Sequence, residues 1–314
     1  MLFRLLAIPN LHFYVNASLA GYTRFEIGGS ARMVIDAESE TALAQAWSAI
    51  EESGWPRTVI GGGTNLVVSD SGFPGAVLRY TDPSIEFDGA RVRVGAGAVL
   101  QTLVDWTVDR GLRGLETMTG IPGWVGGALY GNAGAYGHSM HEFVESVRFF
   151  DGVEFREIGN RECEFRYRES VFKQRKDWMI TSATLRLLDS AGEDLRSAAA
   201  SILKIRNAKY PPAMRCAGSI FKNLMLADLP ELARAQVPES VVREGKVPSA
   251  YFLEQAGAKG LADGPIRVAD YHANLIYNEG GGNAHQLRAM ICELKRRVRE
   301  KFGIELEEEV QYIG

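Results

Sequence analysis

Gly61-Gly62-Gly63-Thr64-Asn65-Leu66-Val67-Val68-Ser69-Asp70 is the stretch on which the fold turns. Three glycines follow a strand expected at Arg57 to Ile60, and Leu66, Val67 and Val68 then start another strand with no helix in between. A P-loop would close on Lys-Ser/Thr and a Rossmann turn would open a helix, so neither fits. A glycine cluster beside strands is either a tight turn or a place where backbone must approach a pyrophosphate that a Cβ would obstruct. For this stretch alone both readings stand.

Upstream, Met33 to Asp36 reads as a short strand, followed by a helical face of Leu43, Ala46, Trp47 and Ile50 that stops at Gly54. Downstream, Arg91 to Val94 alternates polar and apolar at period two, as a half-buried strand does. Gly95-Ala96-Gly97 lacks the third glycine of a dinucleotide fingerprint. Leu100, Leu103, Val104 and Val108 share one helical face ending at Gly111, and GIPGWVGGALYGNAGAYG, Gly120 to Gly137, reads as a long glycine-rich loop. Together with Gly61 to Asn65 it favours a dinucleotide held by loops. Strand-like runs at Val144 to Phe150 and Met179 to Leu187 flank FRYRESVFK, and a helix is expected from Leu195 to about Arg206. KYPPAMRCAGSIFKN then breaks regular structure. Beyond it lies a further domain, with helices around Phe252 and from Ala284 to Phe302; the second buries Leu287, Met290, Ile291, Leu294 and Val298 and turns LKRRVREK to solvent.

A chain of 314 residues exceeds one average core. Its 46% hydrophobic and 24% charged residues are those of an ordinary globular protein, and no apolar run is long enough to span a membrane. MLFRLLAIP is too short and too weakly flanked for a secretory signal and is expected to pack. The net charge of -4 gives no general field for nucleic acid. Cys163, Cys216 and Cys292 show no disulfide or zinc spacing, which fits a reducing, cytoplasmic setting and a chain without a metal; the glycosylation match Asn16-Ala17-Ser18 has no meaning there.

Taken singly, Ser219 reads as a cap of a turn or helix, Arg168 as a surface charge, and Glu307, Glu308 and Glu309 as a solvated acidic run. Their company changes this. RFEIGGSA, VIGGGTNLVVSD, GIPGWVGGALYGNAGAYG, YRESVFK, AGSIFKN, EQAGAKG, HANLIYN and LEEEVQYIG follow one another in an order that resembles the UDP-N-acetylenolpyruvoylglucosamine reductase family over nearly the whole chain. The short interval between Arg168 and Ser219 is similar to the subtype lacking an extra substrate-covering loop and its tyrosine.

The resemblance implies an α+β fold: two flavin-binding subdomains of the vanillyl-alcohol-oxidase type, at 1–80 (completed by the C-terminal tail) and 81–203, plus a substrate-binding α+β domain at 204–308. It implies non-covalent FAD along Gly61, Gly62, Gly63, Thr64, Asn65 and Leu66 and along Gly120, Ile121, Pro122, Gly123, Gly126, Gly127, Asn132 and Gly134. NADPH reduces the flavin and leaves; the enolpyruvyl ether of a nucleotide sugar then takes the same site, in peptidoglycan precursor synthesis, with no nucleic acid, membrane or obligate protein partner.

Hydride addition at the vinyl C3 places charge on C2 and the carboxylate. By the resemblance Arg168 holds that carboxylate, and Glu309 assists in protonated form, because a carboxyl desolvated beside another carboxylate keeps its proton. Ser219 delivers the proton to C2, a neutral hydroxyl being acid enough for so basic an enolate. Tyr167, Lys222 and Asn223 are expected to touch substrate. Two positions depart from the family pattern, Gln311 where arginine is common and Trp124 where a smaller residue is usual, and three successive glutamates leave the register open, Glu309 being the choice made here. His272 is expected to be structural and Cys216 to be packing, though a thiol so near Ser219 would confer sensitivity to alkylation if exposed. An oxidase of the same fold, or a non-catalytic nucleotide-sugar sensor, would have no use for the combined serine, arginine and glutamate.

Overall fold

Ser39 starts the first long helix in the computed structural model, which describes residues 2–314. Its hydroxyl accepts the N–H of Ala42 at 3.2 Å, Glu40–Ser53 follows, and Gly54 closes the helix at φ 67°. Leu43, Ala46, Trp47 and Ile50 are all buried, each large apolar side chain contributing about 1.5–3 kcal/mol. The helix belongs to the first of two units, made of the chain up to Ala17, Ala31–Gly63 and Pro74–Ala208.

This unit carries two larger sheets. One runs in the order Leu11–Ser18, Ser30–Ala37, Phe73–Tyr80, Arg57–Val59, the last two strands parallel. The other runs Phe155–Gly159, Val144–Phe150, Met179–Arg186, Arg91–Gly95, Ile85–Asp88, antiparallel throughout. Met33, Ile35 and Leu78 from the first and Val92, Val94, Phe149 and Leu185 from the second enter a single core, which Leu103 and Val104 of helix Leu100–Asp109 help to close. The helix expected after Leu195 runs Gly192–Lys209.

The segment Gly120 to Gly137 is not an unbroken loop. It contains helix Val125–Tyr130 and a small hairpin pairing Gly134–Ala135 with His138–Ser139. Glycine's weak helix propensity is overridden by long-range bonds: Val125 N–H to the Ala98 carbonyl and Gly126 N–H to that of Ala96, both 2.9 Å. Val125, Ala128 and Leu129 are buried beneath. At the N-terminus Leu2–Leu6 is helical; Leu5 packs as expected, but Leu2, Phe3 and Leu6 are exposed.

The second unit consists of Ser18–Ser30, Thr64–Phe73 and Lys209–Gly314. Beyond its expected helices, Ser249–Gln255 and Ala284–Phe302, it holds an antiparallel sheet of Ala262–Asp263, Ile266–Ala269 and His272–Asn278. The long helix has a capping box of Asn283 with Gln286, and Asp70 accepts its Ala284 and His285 N–H groups at 2.7 and 2.9 Å. Leu66–Val68 pairs in parallel with Gln311–Ile313, Leu66 opposite Gln311. Phe25, Val67, Ile220, Phe221, Phe252 and Leu275 build a core of its own. Among the described residues no helix is long and apolar enough to cross a membrane.

Candidate active site

In the first unit the two glycine-rich stretches meet. A Cβ on Gly62 would stand 3.1 Å from Trp124 Cδ1 and 3.3 Å from Gly123 Cα, so the turns at Gly61–Gly63 and Gly123–Trp124 come this close because position 62 carries no side chain. Gly126 is equally confined, its Cβ falling 3.0 Å from that of Ala96. Gly127 differs. It lies inside a helix and is exposed, and an added Cβ would meet nothing within 4 Å; Gly61 faces it, with 3.7 Å from its would-be Cβ to Gly127 N. Neither internal packing nor helical backbone demands glycine at 127. A clear approach at a short helix beside a second glycine turn is what a group bearing a pyrophosphate needs. Trp124 lies under the Arg79 guanidinium, 4.6 Å from its ring centroid, and Arg79 in turn stands 3.2 Å from Asp36, whose carboxyl is pushed up by burial.

Arg168 is built onto the same segment. Arg166 and Glu169 exchange backbone bonds at 3.0 and 3.1 Å, which forces a tight turn with Arg168 at φ 59°. A non-glycine residue in that region is strained by about 1–3 kcal/mol and persists where its surroundings impose it. Here they do: Arg168 Nη2 donates to the Gly134 carbonyl at 3.0 Å, and Lys173 Nζ donates to the Arg168 carbonyl at 2.8 Å. Asn132 clamps the turn from below, its Nδ2 bonding the Arg166 carbonyl at 2.9 Å while its Oδ1 accepts His141 N–H at 3.1 Å. Tyr167 lies beside Arg168, ring to guanidinium 5.3 Å. Gly120 is fixed by a 2.6 Å bond from its N–H to Gln101 Oε1, and Ile121 by its bond to the Met118 carbonyl; Pro122 is exposed.

In the second unit Ser219 does not cap a helix. It sits in extended backbone, bridged to Leu275 on one side, where Ile220 N–H bonds the Asn274 carbonyl at 3.1 Å. On the other side Glu309 N–H donates to the Ile220 carbonyl at 2.7 Å, and Lys222 N–H to that of Glu307 at 2.9 Å. Ser219 and Glu309 therefore belong to one ladder. The buried Asn274 amide locks it, accepting Phe221 N–H at 2.9 Å and donating to the Phe221 carbonyl at 2.9 Å and to Ser249 Oγ at 2.8 Å. Asn65 ties in the glycine stretch: its Nδ2 donates to the Glu309 carbonyl at 2.9 Å, and its own carbonyl accepts Gln311 N–H at 2.9 Å. Thr64 precedes it, and Leu66 enters the parallel strand. Where arginine is usual, the Gln311 amide donates back to the Glu309 and Val310 carbonyls, both at 3.3 Å.

Each of the other two glutamates is held by a lysine. Lys222, its side chain almost wholly buried, reaches Glu307 at 2.5 Å, and Lys295 reaches Glu308 at 2.8 Å, with the Tyr312 hydroxyl on the same carboxylate. Asn223 is exposed. Cys216 is buried and its thiol pushed up by that burial, so the alkylation-sensitive thiol entertained for this position is absent; the exposed cysteine is Cys292. His272 accepts Asn274 N–H on Nδ1 at 3.1 Å, and burial, with Lys209 nearby, pushes its imidazole down to about 4. It is a neutral structural group at ordinary pH. Sequence reasoning passed over Tyr210, whose hydroxyl lies 3.2 Å from Ser219 Oγ, and Asn274; the nearest signals were KYPP ahead of AGSIFKN and the polar residue inside HANLIYN.

The FAD binding domain family matches residues 31–153, the stretch that holds both glycine turns. The chain is an FAD-dependent oxidoreductase of α+β fold. Residues 210–313 match the UDP-N-acetylenolpyruvoylglucosamine reductase C-terminal domain. Similarity extends over whole chains: 57% identity to the UDP-N-acetylenolpyruvoylglucosamine reductase of Solibacter usitatus across 99% of this chain and 100% of that one, and 33% to the Bacillus subtilis reductase across 95% and 93%. The crystal structure of the Thermus caldophilus reductase superposes with a TM-score of 0.75 at 28% identity, over 97% of this chain and 99% of that one. The chain belongs to the UDP-N-acetylenolpyruvoylglucosamine reductase family.

Proposed function

We propose that this chain reduces UDP-N-acetyl-3-O-(1-carboxyvinyl)-glucosamine to UDP-N-acetylmuramate with NADPH and non-covalent FAD, in the cytoplasmic synthesis of peptidoglycan precursors. The observation that carries the reading is the set of backbone bonds that sets the Ser219–Lys222 strand beside the Glu307–Glu309 segment, in a chain whose glycine turns leave open space at Gly127. FAD, held along Gly61 to Leu66 and Gly120 to Gly134, supplies the hydride that the vinyl C3 receives. What remains is charge control and one proton.

Arg168 takes the substrate carboxylate. Its guanidinium offers donors in a fork that matches a carboxylate, while the bond to Gly134 fixes its direction before substrate arrives. Glu309 donates a hydrogen bond to the same developing charge from a backbone held at both its N–H and its carbonyl. Ser219 donates its proton to C2: the Ser219 O–H bond breaks as the C2–H bond forms, on a strand that Asn274 keeps from shifting. Tyr167, Lys222 and Asn223 contribute substrate contacts. Purified enzyme given NADPH and the enolpyruvyl nucleotide without oxygen forms one lactyl product per NADPH consumed; consumption that requires oxygen would instead mark an oxidase.

A further inference from the structure

We propose that Tyr210 is a positioning residue for Ser219, its hydroxyl donating to Ser219 Oγ so that the serine proton points away toward substrate and is replaced as it leaves. The inference rests on the reduction assigned above. Its basis is the pairing of the two hydroxyls at 3.2 Å, in a segment held from both sides. Ser219 is fixed through its bridge to Leu275, and Tyr210 is fixed by its neighbours: Lys209 Nζ lies 5.1 Å from its ring centroid and the His272 ring 6.2 Å away.

A serine that gives up its proton becomes an alkoxide, which is far more basic than the phenolate a tyrosine leaves behind. Handing the tyrosine proton to the serine oxygen as the serine proton moves to C2 avoids that alkoxide. Three events balance: the C2–H bond forms from the enolate electron pair, Ser219 O–H breaks and is remade, and Tyr210 O–H breaks. Solvent later returns the proton to the phenolate. Lys209 and Tyr271 are also titratable neighbours of this tyrosine, and His272, packed on its ring, is unsuited to replace it. Its Nδ1 is occupied by the Asn274 N–H and its imidazole is already neutral.

The test is Tyr210→Phe, which keeps the ring and its packing and removes only the hydroxyl. Anaerobic double mixing reads the two half-reactions separately. Flavin reduction by NADPH is expected at the wild-type rate, while reoxidation by the enolpyruvyl nucleotide slows about tenfold or more, the loss falling on kcat and not on KM. In mixed H2O/D2O the wild-type reoxidation rate should bow with deuterium fraction, as two protons in flight require, and the variant should give a straight line. Unchanged reoxidation, equal slowing of both half-reactions, or a bowed plot in the variant would each overturn the proposal. Wild-type enzyme that no enolpyruvyl nucleotide reoxidises would overturn the reduction itself, so the two failures are told apart.

Discussion

The proposed reduction asks Ser219 for a proton and Arg168 for a counter-charge, and substitutions separate the two. Ser219→Ala should leave flavin reduction by NADPH intact and slow reoxidation by substrate at least about 100-fold; rapid mixing of each half-reaction checks this, and equal loss in both would contradict the role. Arg168→Lys keeps the charge and loses the fork and the bond to Gly134, so kcat/KM should fall about 100- to 1000-fold, with FAD content unchanged. Asn274→Ala strips partners from the buried N–H and carbonyl of Phe221 and should destabilise the fold by about 3 kcal/mol, read as a lowered denaturation midpoint. His272 supplies a pH test. Its folded value near 4 lies below its ordinary 6.5, so between those values the unfolded chain binds a proton that the folded one refuses. Stability is therefore full above pH 6.5 and declines as pH falls toward 4. The fall should be steeper in wild type than in His272→Gln; parallel profiles from chemical denaturation would refute it. At this scale motif order singled out Ser219, Arg168 and Glu309 as candidates, and the test of their roles is the set of substitutions above. Tyr210 was not, because a tyrosine nine residues from a serine carries no spacing rule outside a helix or strand.

In the short helix Val125–Tyr130 the two adjacent glycines meet different surroundings. Gly126 lies against Ala96, so Gly126→Val should lower the melting temperature even without flavin. Gly127 faces open space, so Gly127→Val should leave the apo-protein's melting temperature within a degree or two and weaken FAD binding at least about tenfold in a flavin fluorescence titration. Equal effects of the two substitutions on apo stability would contradict the assignment of that space to the cofactor. The helix escaped sequence reading because VGGALY lacks the apolar period and composition of a stable helix, and what holds it are bonds to Ala96 and Ala98, some thirty residues away. Helices Glu40–Ser53 and Ala284–Phe302 were legible to within a turn: each has a complete apolar stripe, a side-chain cap and a terminal glycine.

Across the whole molecule, chain order and spatial grouping part company. The second unit takes Ser18–Ser30 and Thr64–Phe73 from the N-terminal region, and with them Phe25, Val67 and the strand that pairs with Gln311–Ile313. Residues 209–314 expressed alone should therefore fail to fold cooperatively, giving a collapsed amide spectrum and no sharp thermal transition; a well-dispersed spectrum would contradict this. A parallel pair joining Leu66 to Gln311 is invisible to any local window, since three-residue strands carry almost no periodic signal and their partner lies at the far end of the chain. The motifs on which the family resemblance rests were legible because each is a short contiguous stretch of sequence. The measurement that bears most directly on the central claim is anaerobic stopped-flow absorbance of the flavin band, with NADPH mixed first and UDP-N-acetyl-3-O-(1-carboxyvinyl)-glucosamine second. Bleaching followed by full, substrate-dependent recovery without oxygen is the predicted result; recovery only on admitting air, or no flavin absorbance at all, would contradict it.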